Sequence, residues 1–201
     1  MTVSQALEKL SAYEKLMFTY NHASGLMYYD GATVAPKGSA DLRADTLGEL
    51  ARLSYALTTA PETVEMLRTL VEARVDPVTA RKVSELWRDY EMTHRVPEEE
   101  FVAYQQLTSK ADAVWHEAKE RSDFALFEPY LQQVFDGSRR LAEYMQPDKD
   151  PYDAQLDRFE RGLTRETCDA FFAALRQELV PLIDQVKAHA DRVDDAPLHR
   201  S

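Results

Sequence analysis

The chain has a single cysteine, Cys168, so no disulfide can form within it. That usage suits a reducing compartment, and a cytoplasmic location is the expectation. Cys168 stands near the apolar pair Phe171 and Phe172, and is read as a buried, inert thiol. Glycine is scarce as well, with 6 residues, and runs of β-branched residues are few. Both shortages favour helix over sheet. No apolar run approaches the length needed to span a bilayer. The opening residues have neither the basic segment nor the apolar core of a secretion signal. Basic residues are outnumbered 24 to 35, which leaves a formal charge of −11. A surface of that sign repels phosphate, so nucleic acid and anionic membranes are excluded as non-specific partners.

A length of 201 residues, 44% of them hydrophobic, supplies material for a real core in one domain or one lobe of a larger one. The apolar residues recur at helical spacing. The first helix is expected from about Val3 to Leu26, where Leu7, Leu10, Tyr13, Leu16 and Met17 recur at helical spacing. The cluster Gly31, Pro36 and Gly38 is read as a break over 28–38. A second helix is expected over about 39–57, with Leu42, Leu47, Leu50, Leu53 and Leu57 on or near one face. Pro61 reads as the first residue of a third helix. Asp76-Pro77 is a stronger start signal, an acidic N-cap followed by proline, for a fourth helix carrying Val83, Leu86, Trp87 and Tyr90.

Pro97 and three glutamates open a fifth helix, with acids where the helix dipole favours them. Asp123 is expected to cap a sixth, with Pro129 in its first turn or so. A short helical or turn-rich segment follows over 151–159. Gly162 and Thr164 start a last helix, expected to bury Phe171, Phe172, Leu175, Leu179 and Leu182 and to kink or break at Pro181. The fold class is therefore all-α, a multi-helix antiparallel bundle-like assembly. It is read as one helical domain over 1–190 and a frayed tail over 191–201.

Chemistry is hard to find. The five histidines are His22, His94, His116, His189 and His199. A catalytic zinc site needs about three converging protein ligands, often two of them one helical turn apart, and no two of these histidines have that spacing. His116-Glu117 begins like a zincin helix, but Glu120 stands where the second histidine belongs. The segment reads as a solvated helix face beside Trp115. A site built by His94, His116 and nearby acids is the remaining metal option. Paired carboxylates such as Asp153 with Asp157 are abundant in so acidic a chain, and spacing alone assigns them no acid–base role. No nucleophile elbow, phosphate-binding loop or Cys/His cluster is present.

Three segments carry a more specific message. Asp30, Thr33, Pro36, Gly38 and Arg43 match the pattern W-D-x-x-T-x-M-P-x-G…R, with Tyr29 in place of tryptophan and Ala35 in place of methionine. Tyr55 stands where a histidine is usual. Trp115, Ala118, Asp123, Phe124, Phe127, Pro129 and Leu131 match W-x-x-A-(x)4-D-F-x-x-F-x-P-x-L. Pro151, Tyr152, Asp153, Leu156, Asp157, Phe159, Glu160, Gly162 and Thr164 match P-Y-D-x-L-L-D-x-(Y/F)-E-x-G-x-T. Together they resemble the N-terminal helical portion of the carboxypeptidase Taq (M32) family, over essentially the whole chain. Each segment reads physically as a capped turn or a helix entry.

The resemblance implies a zincin-type helical peptidase fold with a deep groove, whose wall these helices would form. It implies a parent enzyme that removes C-terminal residues from peptide substrates. Zinc or another divalent metal would activate water, with a motif glutamate as general base, and the parent is often a homodimer. The family's metal-binding helix comes after the position equivalent to Ser201. No catalytic, cofactor-binding or metal-ligating residue therefore carries onto this chain, which is expected to be inactive alone. The alternative is a stand-alone, non-catalytic helical interaction or dimerisation module derived from that family.

Overall fold

The computed structural model describes residues 1–190, so the tail expected over 191–201, and His199 with it, lies outside the described residues. Among the described residues there are eight α-helices and no strand. They are α1 (Val3–Thr33), α2 (Ala40–Thr59), α3 (Pro61–Glu72), α4 (Pro77–Thr93), α5 (Glu98–Arg121), α6 (Phe124–Met145), α7 (Pro151–Phe159) and α8 (Arg165–Ala188), with a 3-10 turn over Lys37–Ser39. No helix among these residues is long and apolar enough to cross a membrane. The chain divides into two compact units, Met1–Pro151 and Tyr152–Ser201, a finer division than the one domain read from the sequence.

In the first unit, three helices follow one antiparallel line. Along α2 and α5, Asp41 pairs with Lys110 at 3.6 Å and Arg52 with Glu98 at 2.6 Å, so the two run in opposite directions. Between those pairs Gly48 lies against Gln106, whose Cγ is 2.7 Å from where a β-carbon would be. Ala44 is fully buried and Ala111 nearly so. Gly48 thus makes room for the Gln106 side chain between the two helices. The α5–α6 hairpin repeats the device: Gly137 lies under the Tyr104 ring, 2.7 Å from a notional β-carbon. Its turn is closed by Ser122 in the left-handed region, φ 52°.

Two apolar clusters hold the unit. Leu10, Tyr13, Met66, Leu67, Leu70 and Val83 knit α1, α3 and α4 together, with Trp87 and Tyr90 packed against them. Val96, Leu141 and Met145 gather the α4–α5 turn and the end of α6. Tyr55 links α2 to that turn by donating its hydroxyl to the Val96 carbonyl at 2.8 Å. Arg95 donates to the Met145 carbonyl at 3.0 Å.

Several boundaries follow the sequence. Asp76 accepts from the Val78 and Thr79 amides at 3.0 and 3.1 Å, a true N-cap ahead of Pro77. Pro61 is the first residue of α3. Other expectations are corrected. Helix α1 continues through Gly31 to Thr33: one glycine costs a helix only about 1 kcal/mol, and the real stop is Pro36, which forbids helix to the residue before it. Leu42 and Leu53 lie outward, and the buried positions of α2 are Ala44, Gly48 and Thr58. Asp123 occupies the N-cap of α6 without a capping bond, and Pro129 lies beyond the first turn.

In the second unit, α8 runs unbroken through Pro181. The carbonyl that loses its partner there, on Gln177, belongs to an exposed residue that water can reach. No residue of α8 is buried, and Cys168 is half-buried rather than buried. Phe171, Phe172, Leu175, Leu179 and Leu182, expected inside, are all exposed. Among the described residues of this unit only the 9-residue α7 accompanies the 24-residue α8, and at 1.5 Å per residue it cannot cover that stripe.

Two stability outcomes follow from this division into buried and outward residues. Leu67→Ala, which empties a side chain only 1% exposed, should cost about 2–5 kcal/mol in denaturant unfolding. Leu42→Ala, at a residue 72% exposed, should stay within about 0.5 kcal/mol. Tyr13 adds a pH signature. Burial raises its phenol above the usual range, the largest influence, against the opposing 3.3 Å bond between its hydroxyl and Thr58. A raised folded value keeps this contribution intact below the unfolded phenol range of about pH 10 and removes it as pH climbs through the folded value. Tyr13→Phe should flatten that alkaline decline in unfolding measured against pH.

Candidate functional site

The histidines do not converge. His94 ends α4, stacked on Tyr90 at 4.6 Å, with Nδ1 2.8 Å from the Tyr90 carbonyl. His189 ends α8 in the same way, Nδ1 2.7 Å from the Gln185 carbonyl. His22 stacks on Phe18 and His116 meets Trp115 edge-on. The carboxylates of the His116–Glu120 segment are engaged in surface ion pairs. Glu117 pairs with Arg121 and Glu120 with Lys37, both at 2.7 Å. The Lys37 bond holds the Glu120 carboxyl below its ordinary range and raises the Lys37 ammonium. Among the described residues no three His, Cys, Asp or Glu side chains gather as a metal-binding group, so these residues do not fit a catalytic divalent ion.

The three sequence segments form corners. The third is organised by local bonds to backbone amides. Asp153 accepts from the Arg165 amide at 2.7 Å and Asp157 from the Gly162 amide at 2.8 Å. Thr164 accepts from the Thr167 amide at 3.2 Å and caps α8. Gly162 has φ +86°, a conformation that suits only glycine at low cost. The paired aspartates thus each accept a backbone N–H group at the entry to α8. In the second segment, Trp115, Ala118, Asp123, Phe124 and Phe127 line one shallow groove at the α5–α6 corner, with the Lys119 ammonium 5.0 Å from the Trp115 ring centre.

The first segment is the one that opens onto a cavity. Helices α1 and α5 both pack on α2, and a space of about 500 Å³ lies between them. Its wall includes Asn21 and Tyr28 of α1, Arg43 of α2, and Gln105 and Asp112 of α5, with Leu47, Leu50 and Phe101 as its apolar part. Arg43 is placed by two neighbours. Its Nη1 donates to the Ser39 hydroxyl at 3.3 Å. Its Nε lies 2.7 Å from where a β-carbon on Gly31 would be, so the guanidinium rests directly on α1. A concave space with apolar walls and a few polar groups is the usual form of a small-ligand site. The sequence pointed to Arg43 only as part of a turn pattern; Asp112, Asn21 and Gln105 had no signal, because nothing local marks a residue as facing a cavity.

Comparison with known proteins gives a consistent answer. The model of the Carboxypeptidase Taq (M32) metallopeptidase family matches residues 9–200. Carboxypeptidase 1 of Bacillus subtilis is 36% identical over 196 residues, which make up 92% of this chain and 39% of that protein. A crystal structure named BsuCP superposes with a TM-score of 0.89 at 33% identity, over 96% of this chain and 39% of that one. A structure of the Pyrococcus furiosus carboxypeptidase gives 0.73 at 31% identity, over 92% of this chain and 37% of that one. The chain thus spans about two fifths of the length of the curated relatives it matches.

The Gly31–Arg43 contact can be checked directly. Gly31→Ala puts a β-carbon against the end of the long Arg43 side chain, which has other rotamers into which the guanidinium can be displaced at little cost to folding. The gain in helix propensity is about 1 kcal/mol, so unfolding should show stability unchanged or slightly raised. A loss beyond about 1 kcal/mol would mean that the guanidinium cannot move.

Proposed function

Because the chain belongs to the Carboxypeptidase Taq (M32) metallopeptidase family, we propose that it is the N-terminal helical part of a metal-dependent carboxypeptidase that removes C-terminal residues from peptides. The observation that carries this reading is the asymmetry of coverage: nearly all of this chain matches a minor share of each relative. The exposed apolar surface supports it. Tyr28, Tyr29, Val34 and Leu42 crowd the α1–α2 corner, and Phe171, Leu179 and Leu182 line α8. Apolar surface of this extent calls for cover.

The described residues hold no set that fits a divalent ion, so no chemical step is assigned to them. In the proposed parent, zinc or another divalent metal and its activated water sit on residues outside this chain. The helices here are one wall of the groove. That role is passive: rigid packed helices limit access and admit a peptide end more readily than a long internal segment. A cytoplasmic location and a homodimeric parent complete the proposal. The same exposed stripes would also suit a stand-alone module that self-associates or covers a partner, which is the second reading.

The intact mass of the native protein in its source cell separates the two. A species far heavier than 23.0 kDa is expected, and one of 23.0 kDa would favour the module. The isolated chain, supplied with zinc, should release no C-terminal residue from a blocked peptide. Metal-dependent release would overturn its assignment as the non-catalytic part.

A further inference from the structure

We infer that the cavity between α1, α2 and α5 binds a small zwitterion, an α-amino acid or dipeptide with an apolar side chain, its carboxylate on Arg43 and its ammonium on Asp112. The inference goes beyond the proposed function and uses residues of this chain alone, so it stands whether or not the parent cleaves peptides.

Arg43 and Asp112 are two half-buried charges of opposite sign on the wall of one cavity. They come from different helices, near the end of the cavity marked by the Asp41–Lys110 pair. They are not paired with each other. Among the described residues Asp112 has no ion-pair or hydrogen-bond partner, and the hydrogen bond of Arg43 is to the Ser39 hydroxyl. Elsewhere in this unit the seams are closed by direct pairs: Arg52 with Glu98, Lys82 with Glu14 and Lys37 with Glu120. In this cavity a half-buried cation and a half-buried anion share a space without pairing.

The guanidinium is also pre-positioned. Gly31 gives it a flat seat and Ser39 takes Nη1, which leaves further N–H groups for a carboxylate in the two-bond geometry that favours arginine. Holding the side chain before binding reduces the entropy lost on binding. Amide and hydroxyl side chains, Asn21, Gln105 and Ser54, supply further donors and acceptors, while Leu47, Leu50 and Phe101 offer an apolar seat. Neither a simple anion nor a simple cation uses all of these groups; a ligand with both charges and an apolar branch does. A volume of about 500 Å³ has room for either an amino acid or a dipeptide.

The test is an NMR titration of the full chain, following the side-chain amides of Asn21 and Gln105, with three probes. These are L-leucine, the dipeptide alanyl-leucine, and N-acetyl-leucinamide, which keeps the apolar branch and has neither charge. Saturable shifts with leucine or alanyl-leucine, and none with the neutral analogue, are expected; the tighter of the two names the ligand size. Arg43→Gln and Asp112→Asn should each weaken binding about tenfold, the scale of one charge-assisted hydrogen bond. Gly31→Ala should weaken it as well by displacing the Arg43 head, and helical circular dichroism confirms that each variant is folded. Equal shifts with the neutral analogue, or no saturable shift with either zwitterion, would overturn the inference. So would unchanged binding by folded Arg43→Gln and Asp112→Asn.

Discussion

The first unit depends on one close crossing, that of α2 on α5. A helix pair approaches this closely only where side chains at the contact are small, and Ala44, Gly48 and Ala111 supply them. The longer residues are displaced to the edges of the seam, where Arg52–Glu98 and Asp41–Lys110 fix its register. Once α5 is seated on α2, the short turn at Ser122 returns α6 along its other side, with Gly137 under Tyr104. Helix α1 must then take the remaining flank of α2. That order of placement leaves a space between α1 and α5, since both are committed to the helix between them.

This explains which parts of the fold were legible. Asp76-Pro77, Pro61 and Thr164 were readable because a cap acts within three or four residues, and both halves of the interaction are adjacent in the chain. The α2–α5 seam was not readable, since alanine and glycine give no hydrophobic signal. Periodicity drew attention to Leu42 and Leu53, which are merely large. Gly31 misled for a related reason. As a local signal it says break, and its actual role is to make room for Arg43, a neighbour set by the α1–α2 packing. The stripe on α8 was read correctly as amphipathic and wrongly as covered, because periodicity reports that a face is apolar and not what lies over it.

The candidate site divides in the same way. Sequence patterning located three corners. In the third the residues do what local chemistry suggests, with Asp153, Asp157 and Thr164 satisfying backbone amides at a helix start; in the second Asp123 makes no capping bond, and Trp115 carries Lys119 over its face. The apparent zincin fragment dissolved into the ion pairs of Glu117 and Glu120. A His-Glu pair on a solvated face is what an acidic, helical composition produces without any metal in view.

The first corner is different because its arginine serves two neighbours with unequal claims. If Arg43 were only a structural tie, a carboxylate would be its natural partner, as it is for Arg52 on the same helix. The hydroxyl of Ser39 at 3.3 Å is a weak substitute for a carboxylate, and Asp112 shares the cavity without closing on it. Leaving a half-buried cation and a half-buried anion unpaired forgoes stability that a direct ion pair nearby would restore. On the α2–α5 seam the comparable charges do meet directly, Arg52 on Glu98 and Lys110 on Asp41. A ligand with both charges turns the open arrangement into a satisfied one, and so accounts for the geometry from the same rule that governs the rest of the unit.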